Sequence, residues 1–384
     1  MTLKILILSR LAGAYSTRRL KEACERRGHV ARVLNTLNFS LALESGAPRI
    51  YYRERALSRH DAVIPRIGAS VSSYGTAVVR QLEQLGVFSL NSSQAIAASR
   101  DKFRAFQVLS RFDIGIPATV LVRDRESIRA AIEKVGGPPL VIKLVEGAQG
   151  AGVILAESSK SAETMLESLL VARQSVLVQK FVRESSGQDL RVLVVGDRVV
   201  AAMRRRAAPD DFRSNVHRGG RTESVRLDPE LERLALQATQ ILGLRVAGVD
   251  LIESAHGPLV LEVNSSPGLE GIEAITGEDV AGAIIECLEQ HVCFPELDLR
   301  QRLTAAPGHA VAELVVASGS ELAERSLERL ELSARDVRVL MVFRGALSYP
   351  NPSQEFVLLP QDRLLCFGRS PILRELMMRA RNPQ

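Results

Sequence analysis

Short, mainly apolar runs separated by polar turns dominate the chain up to Asn91. Lys4–Leu8, Val30–Leu34 and Ala62–Ile64 have the length and composition of buried strands, and Ser16–Arg27 has a helical pattern. This alternation of strands and helices predicts a parallel sheet flanked by helices. The first turn lacks the sequence G-x-G-x-x-G, so no dinucleotide site is predicted there.

Beyond Asn91 the pattern changes to longer groups of strands between helices. Helical patterns cover Ser92–Phe112, Arg125–Val135, Pro229–Leu242 and a segment that ends near Glu289. Strand-like segments are Ala118–Val122, Leu140–Leu144, Val176–Val182, Leu190–Val194 and Val199–Met203, followed by a hairpin over Gly248–Asn264. Pro209–Glu223 is polar and rich in Arg and Gly, which predicts a long loop.

The last part of the chain predicts a separate small α+β domain. Residues 293–308 contain two prolines and no clear periodicity, which indicates a linker. The strands predicted after it are Ala310–Val316, Val337–Phe343 and Arg363–Phe367, and the predicted helices are Glu321–Leu330 and Ser370–Arg379.

Composition narrows the functional classes. The 384 residues suffice for two or three domains, and an aromatic content of 4% without Trp argues against a base-stacking surface for single-stranded nucleic acid. A formal charge of +6 is a mild excess that suits a protein handling anions such as ATP or carboxylates. No apolar stretch reaches the roughly 18 residues of a spanning helix, and the four cysteines form no C-x-x-C pair, so we expect a cytoplasmic protein without membrane contact.

Three oxygen-bearing side chains of the predicted hairpin carry the strongest chemical signal. With the turn centred on His256, Asp250 falls opposite Glu262, and Asn264 shares the face of Glu262. Two facing carboxylates repel each other unless a cation lies between them, and hard oxygen ligands suit Mg²⁺. The alternative is the polar face of a solvated hairpin.

A glycine-rich segment follows Lys143 on a predicted strand. Gly147, Gly150 and Gly152 would let backbone N–H groups approach phosphates, and Lys143 offers a positive charge to phosphate oxygens. The sequence is not a Walker motif, and glycine-rich hairpins are common, so this signal is weak when taken alone.

Other polar segments follow predicted strands. Phe181 lies near the end of an apolar strand and Asp189 follows that strand, so the two could contact adenine and ribose; a buried strand with an ordinary loop is the alternative. Arg66-Ile-Gly68 and Tyr74-Gly75 lie where a ligand could meet strand ends, although an ordinary loop and helix start is as good an interpretation.

Arginines are concentrated in the predicted loop and the strand before it. Arg204–Arg206 and the segment Asp211–Arg221 could neutralise a transferring phosphoryl group and bind an acidic substrate. A solvated basic face or an RNA-contacting patch is the alternative.

Taken in order, these segments resemble the ATP-grasp superfamily and, within it, the RimK-type glutamate ligases. The resemblance covers Met1 to about His291. Its motifs include Asp61–Gly68, Arg100–Lys102, Lys143–Gly147, Asp211–Asn215, His217–Gly220, Val246–Asp250 and Glu262–Gly271. It implies an α/β and α+β fold class: an N-terminal α/β pre-ATP-grasp domain and a two-lobed ATP-grasp fold, with the small α+β domain at the C-terminus.

The resemblance also implies roles for individual residues. Asp250 and Glu262 should ligate one Mg²⁺ (or Mn²⁺) and Glu262 with Asn264 a second, while Lys143 and, more weakly, Lys102 should contact ATP phosphates. Lys180, where relatives often have Glu, and Phe181 should contact adenine, and Asp189 should lie at the ribose. The nucleotide should also be faced by Arg213, Ser214 and Asn215. No catalytic side chain is assigned, because the chemistry depends on positioning and electrostatics.

The family chemistry is an ATP-dependent ligation of carboxylate and amine. An acceptor carboxylate forms an acylphosphate, and the amine of glutamate then displaces phosphate; RimK relatives modify the C-terminal tail of ribosomal protein S-six. Two alternatives stay open: a ligase of the same chemistry that acts on a small molecule or carrier protein, and a ligand-sensing regulator without catalysis.

The C-terminal residues, which a minimal RimK ligase lacks, are similar to TrkA-C domains. Such domains commonly dimerise and bind small regulatory ligands, which implies a homo-oligomer; a purely structural appendage is the alternative. The expected domains are residues 1–95, 96–292 and 309–381, with a linker at 293–308.

Overall fold

The computed structural model describes residues 1–45, 48–144, 152–208, 220–293, 308–345 and 347–381. The chain divides into two compact units, Met1–Phe294 and Pro295–Gln384. Within the described parts of the chain, no helix is long and apolar enough to cross a membrane.

The first unit begins with the predicted parallel sheet. Its strand order is β2-β1-β6-β7, in which β1 (Lys4–Leu8) pairs with both β2 (Val30–Leu34) and β6 (Ala62–Pro65). The remaining elements here are β7 (Phe88–Ser89), α1 (Tyr15–Arg26) and α2 (Ser72–Gln84). Ile5 and Ile7 pack on one face of the sheet with α1, while Leu6 and Leu8 pack on the other with α2. This alternation explains why β1 is apolar and buried from Ile5 to Leu8.

A small antiparallel sheet next to α2 was not predicted. It consists of β3 (Phe39–Ala42), β4 (Arg49–Tyr52) and β5 (Arg55–Ala56). These strands are short, and only Phe39 and Ile50 among their residues belong to a buried core, so their alternation of apolar and polar residues is weak.

The predicted helix Ser92–Phe112 is two helices, α3 (Ser93–Arg100) and α4 (Lys102–Arg111). Asp101 separates them in extended backbone conformation, and its side chain caps α4 by accepting a hydrogen bond of 3.0 Å from the Arg104 backbone N–H. An aspartate in this position is a helix start signal as well as a break.

A second sheet has the order β10-β9-β11-β8 and is antiparallel throughout. Its elements are β8 (Thr119–Val122), α5 (Ile128–Lys134), β9 (Leu140–Leu144), β10 (Val153–Ala156), α6 (Ser159–Val171) and β11 (Val176–Lys180). Helices α5 and α6 bury one face of this sheet. The segment after β11 connects this sheet to the third.

The third sheet has five antiparallel strands in the order β14-β13-β12-β15-β16. They are β12 (Gln188–Val195), β13 (Arg198–Arg206), β14 (Arg221–Ser224), β15 (Val246–Ser254) and β16 (Gly257–Asn264), with helices α7 (Pro229–Ile241), α8 (Glu270–Thr276) and α9 (Val280–His291). Helix α7 packs on one face, and α9 joins this sheet and β1 in one core. The first and third sheets are therefore held in a fixed relation.

The second unit has a core of its own. Its sheet has the order β17-β20-β18-β19, formed by β17 (His309–Val315), β18 (Val337–Arg344), β19 (Leu347–Pro350) and β20 (Arg363–Arg369), and α10 (Ser370–Arg381) follows. The predicted helix Glu321–Leu330 is wrong, because this segment consists mainly of turns, with one isolated bridge between Ser326 and Val357. Its backbone N–H groups donate to another part of the chain: Glu324 to Leu358, and Leu327 to Phe356. Those bonds replace the bonds to the preceding turn that a helix requires.

Candidate active site

The β15–β16 hairpin places Asp250 directly opposite Glu262, as the sequence predicted, and Gly248 opposite Asn264. Asp250 is buried, while Glu262 and Asn264 are half-buried. The tight turn, Ala255-His256, would by itself pair Asp250 with Leu261. A bulge beyond Leu251 adds one residue to β16 and moves Glu262 into this position.

Asp250 belongs to a buried ionic network that extends across three strands. The Arg191 guanidinium, opposite it on β12, donates to both carboxylate oxygens, with 2.8 Å between Nη2 and Oδ2. Arg205 on β13 lies 3.1 Å from Asp250 Oδ2 and donates two hydrogen bonds of 2.7 and 2.6 Å to Asp189. Burial alone would raise the pKa of the Asp250 carboxyl, but Arg191 and Arg205 outweigh burial and lower it. Asp250 is therefore held as a charged carboxylate.

Arg191 and Arg205 are site residues for which no individual role was predicted. Each had a signal, since Arg191 follows Asp189 by two residues on one strand and Arg205 lies in the run Arg204–Arg206. Neighbouring residues of a strand face opposite sides of the sheet, so the three arginines of the run have different partners. Arg205 is buried. Arg204 pairs with Glu223 and Glu253, and Arg206 pairs with Glu223. Only the middle arginine of the run thus faces the network.

Lys143 on β9 lies within electrostatic reach of the same carboxylates. Burial lowers the pKa of Lys143 to about 8; Lys102 acts in the same direction, whereas Glu262 and Asp250 oppose it. The second and third sheets thus bring a lysine and two carboxylates to one place. Lys143 as a phosphate contact remains a prediction that this placement supports.

The other predicted nucleotide contacts have differing surroundings. Lys180 is exposed at the end of β11 and Phe181 follows it half-buried, so both lie on the connection between the second and third sheets. Asp189, predicted at the ribose, is buried and engaged by Arg205. Arg213, Ser214 and Asn215 lie outside the described residues, as do Gly147 and Gly150. These assignments stay predictions.

The metal prediction involves two carboxylates and one amide. Within the described residues there is no group of three or more His, Cys, Asp and Glu side chains that could hold a metal ion. The set Asp250, Glu262 and Asn264 contains only two such side chains, and its third donor is an amide oxygen. The proposed ligands are thus all hard oxygen donors.

Asn91 fastens the base of the hairpin to the N-terminal domain. Its amide donates to the carbonyls of Val246 at 2.7 Å and Ser265 at 3.0 Å, and accepts from the Arg245 and Val246 backbone N–H groups. Further along, the Ser266 hydroxyl donates to the Pro65 carbonyl at 3.3 Å. The loop after Asn264 is therefore held against the end of β6.

Comparison with family models covers most of the chain. Residues 3–96 match the RimK PreATP-grasp domain, residues 99–288 the RimK-like ATP-grasp domain, and residues 311–380 the TrkA-C domain. Solved structures agree on the fold. A RimK domain protein from Sphaerobacter thermophilus has a TM-score of 0.57 at 26% identity, over 74% of this chain and 99% of that one. The ligase PsnB, in a complex with Mg and ADP, has a TM-score of 0.59 at 24% identity, over 76% and 98%.

Curated relatives are more similar in sequence. A probable alpha-L-glutamate ligase of Rhodopirellula baltica is 55% identical over 375 residues, which are 98% of this chain and 93% of that protein. One of the same name from Azotobacter vinelandii is 54% identical over 289 residues, which are 75% of this chain and 96% of that protein. The chain therefore belongs to the RimK family of ATP-grasp ligases and is an ATP-dependent ligase with a TrkA-C domain after its ATP-grasp domain.

Proposed function

We propose that the protein uses ATP to join the amine of glutamate to the carboxylate of an acceptor. The observation that carries this proposal is the facing pair Asp250 and Glu262, with Asn264 beside them and Lys143 within electrostatic reach. Carboxylate and amide oxygens next to a lysine suit a metal–triphosphate group. Relatives that are 54 and 55% identical and named probable alpha-L-glutamate ligases support glutamate as the amine substrate.

The donor chemistry fits Mg²⁺, or Mn²⁺, at two positions. Asp250 and Glu262 would hold one ion, and Glu262 with Asn264 a second. Metal ligands must be deprotonated, and Asp250 meets this requirement because two arginines lower its pKa. Such ions supply charge neutralisation on the phosphate oxygens.

The side chains of this chain then bind and orient the reactants. Lys143 binds phosphate oxygens, and Arg191 with Arg205 fixes the Asp250 carboxylate so that its position does not vary during the reaction. An oxygen of the acceptor carboxylate attacks the γ-phosphorus, and the bond to ADP breaks. The glutamate amine next attacks the acyl carbon, loses a proton, and phosphate leaves with the electron pair of the C–O bond.

The acceptor that we propose is the C-terminal tail of a ribosomal protein. The test incubates the protein with ATP, Mg²⁺ and glutamate in the presence of a ribosomal fraction, and measures intact protein masses and phosphate release. We expect one ribosomal protein to gain glutamyl residues, and no gain with Glu262→Gln.

Other results would point elsewhere. Phosphate release with glutamate alone, or only with a carrier protein, would contradict the ribosomal acceptor and identify a small-molecule or carrier ligase. A protein that binds ATP but releases no phosphate with any acceptor would instead be a regulator without catalysis.

A further inference from the structure

Two arginines meet at the end of β6, where the N-terminal domain touches the hairpin loop. Arg66 directly follows β6, and its backbone N–H donates to the Leu8 carbonyl at 2.8 Å. Arg100 is the last residue of α3, and its guanidinium donates to the Ile67 carbonyl. The Ser266 hydroxyl contacts Pro65 of the same strand end, at 3.3 Å from its carbonyl. Both arginines are half-buried, and Arg66 directly follows Pro65, the residue that the loop after Asn264 contacts.

Neither arginine has a carboxylate within ion-pair distance among the described residues. Burial and the neighbouring Arg100 together lower the pKa of Arg66 to about 10. Burial also lowers the pKa of Arg100, and only Glu262 opposes it. The Nε of Arg100 is buried without a hydrogen-bond partner in the described parts of the chain. In those parts of the chain, no carboxylate forms an ion pair with either arginine. In addition, one N–H donor of Arg100 has no acceptor there.

Three other shielded arginines of this protein are paired with carboxylates. Arg19 pairs with Glu273 at 3.0 Å, Arg205 with Asp189 at 2.6 Å and Arg344 with Asp362 at 2.7 Å. Removing a charge from water is costly unless an opposite charge compensates it. Two arginines at one strand end without such a partner are typical of an anion site, and the planar donors of a guanidinium group match a carboxylate.

The residues around Arg66 and Arg100 indicate which anion of the reaction the two arginines would bind. Glu262 is the electrostatic neighbour of both Arg100 and Lys143, so the two cations approach the same proposed metal ligand from different domains. Lys143 approaches from the second sheet, where the glycine-rich segment follows, and suits the phosphates. Arg66 and Arg100 approach from the N-terminal domain.

We propose that Arg66 and Arg100 bind the carboxylate of the acceptor, the group that attacks the γ-phosphate of ATP. This inference rests on the proposed ligase function and adds a substrate contact to it. The two guanidinium groups would hold the carboxylate ionised and beside the metal ligands. One oxygen then forms the new bond to phosphorus while the bond between phosphorus and ADP breaks.

The experiment measures dissociation constants of two peptides in the presence of a non-hydrolysable ATP analogue and Mg²⁺. Both peptides have the sequence of the tail that the intact protein modifies; one ends in a free carboxylate and the other in an amide. For the wild-type protein, amidation should weaken binding at least tenfold. For Arg66→Gln and Arg100→Gln, the two peptides should bind alike, and affinity for the ATP analogue should stay within twofold of wild type.

Matched variants guard against trivial explanations. Arg129→Gln changes an exposed arginine of α5 and should retain the full effect of amidation. Arg66→Lys and Arg100→Lys keep the charge and should retain part of the amidation effect. These variants also test the inference if a Gln variant does not fold. A full amidation effect in folded Gln variants would overturn the inference, as would a loss of affinity for the ATP analogue alone. If the wild-type protein ligates no acceptor at all, the proposed function itself fails and the inference with it.

Discussion

At the scale of the residue, Asp250 has two roles that a substitution would affect together. It is the predicted metal ligand closest to Arg191 and Arg205, and it compensates the charge of both. Glu262 has no ion pair within the described residues, although Arg100 and Lys143 are its electrostatic neighbours. Glu262 is therefore the cleaner probe of the metal site, and Asp250 also reports on the stability of the sheet.

We expect Glu262→Gln to abolish ligation while the melting temperature stays close to that of wild type. Losing a charged metal ligand removes several kcal/mol of transition-state stabilisation. Asp250→Asn should abolish ligation and also lower the free energy of unfolding by about 3 kcal/mol, because it removes the carboxylate that pairs with Arg191, whereas Arg205 keeps Asp189. Ligation rates and denaturant unfolding measure both effects. Glu253→Gln, on the exposed part of β15, is the control, and near-wild-type turnover by Glu262→Gln would refute the metal assignment.

We expect Lys143→Ala to raise the KM for ATP and to lower kcat. A lysine that contacts phosphates in both the ground state and the transition state affects both constants. Steady-state kinetics with varied ATP provide the measurement. Lys160→Ala, which changes an exposed lysine of α6, should leave both constants unchanged. If Lys143→Ala behaves like this control, Lys143 does not contact the nucleotide.

The facing of Asp250 and Glu262 was predicted by counting from a turn centred on His256. The observed two-residue turn shifts that count by one position, and the bulge in β16 restores the predicted pairing. The arginines that hold Asp250 could not be identified in this way. Arg191 and Arg205 reach Asp250 from strands that are distant in sequence, and strand order is not contained in the local pattern. The same holds for Asn91, which lies 155 positions from Val246, one of its partners.

At the scale of the element, the hairpin depends on close contacts at two glycines. A methyl group on Gly248 would lie 2.9 Å from Pro267 Cβ, and one on Gly115 would lie 2.9 Å from the Pro258 carbonyl oxygen. The Gly115 carbonyl also accepts a 2.8 Å hydrogen bond from Val260. The loop after Asn264 and the segment before β8 can approach the hairpin only because these side chains are absent.

We expect Gly248→Ala to destabilise the protein by about 1–3 kcal/mol and to lower kcat about tenfold. The added methyl group displaces Pro267 and with it Asn264, which lies opposite Gly248. Gly271→Ala is the matched control, because its nearest neighbour would be Met203 Cε at 4.0 Å. Thermal unfolding and kinetics should separate the two variants; equal behaviour would show that the loop adjusts without affecting the site.

Elements with a strong apolar pattern were predicted well, and elements defined by distant partners were not. Strands β1, β2 and β9 begin and end at the predicted residues. Glu321–Leu330 has helical spacing but forms turns, since its backbone bonds to the segment around Phe356 and Leu358. Helix spacing alone could not reveal that competition.

At the scale of the whole molecule, the two units have separate cores, and every residue assigned to ATP or metal lies in the first. The match to the Azotobacter vinelandii relative covers 96% of that protein but only 75% of this chain. Proteins of this family therefore exist without about a quarter of this chain. The second unit presents β17 and β19 as the edges of its sheet, while β18 is interior. We propose that this unit assembles or regulates the ligase, with a small ligand as effector.

We expect a truncated protein ending at residue 294 to fold, to keep its kcat and to have a lower oligomeric mass than the full chain. The buried residues of the second unit form a core of their own, so removing them leaves the cores of the first unit complete. Light scattering and ligation assays test this expectation, with residues 295–384 alone as the counterpart. A folded truncation that no longer binds ATP would show that the second unit contributes to the active site.

The extra residue in β16 has a consequence for how this family can vary in length. Val260 and Val263 both enter the core under α7, three positions apart, and the inserted residue is what lets Glu262 and Asn264 face the other side. The number of residues between Val260 and Glu262 thus determines which side chains of β16 face the core and which face the proposed metal site. Inserting or deleting one residue between Val260 and Glu262 would exchange the core and ligand faces, whereas adding one residue to each strand near Ala255-His256 would preserve both. Sequence gaps among functional relatives should accordingly be even in number at the turn and absent between Val260 and Asn264.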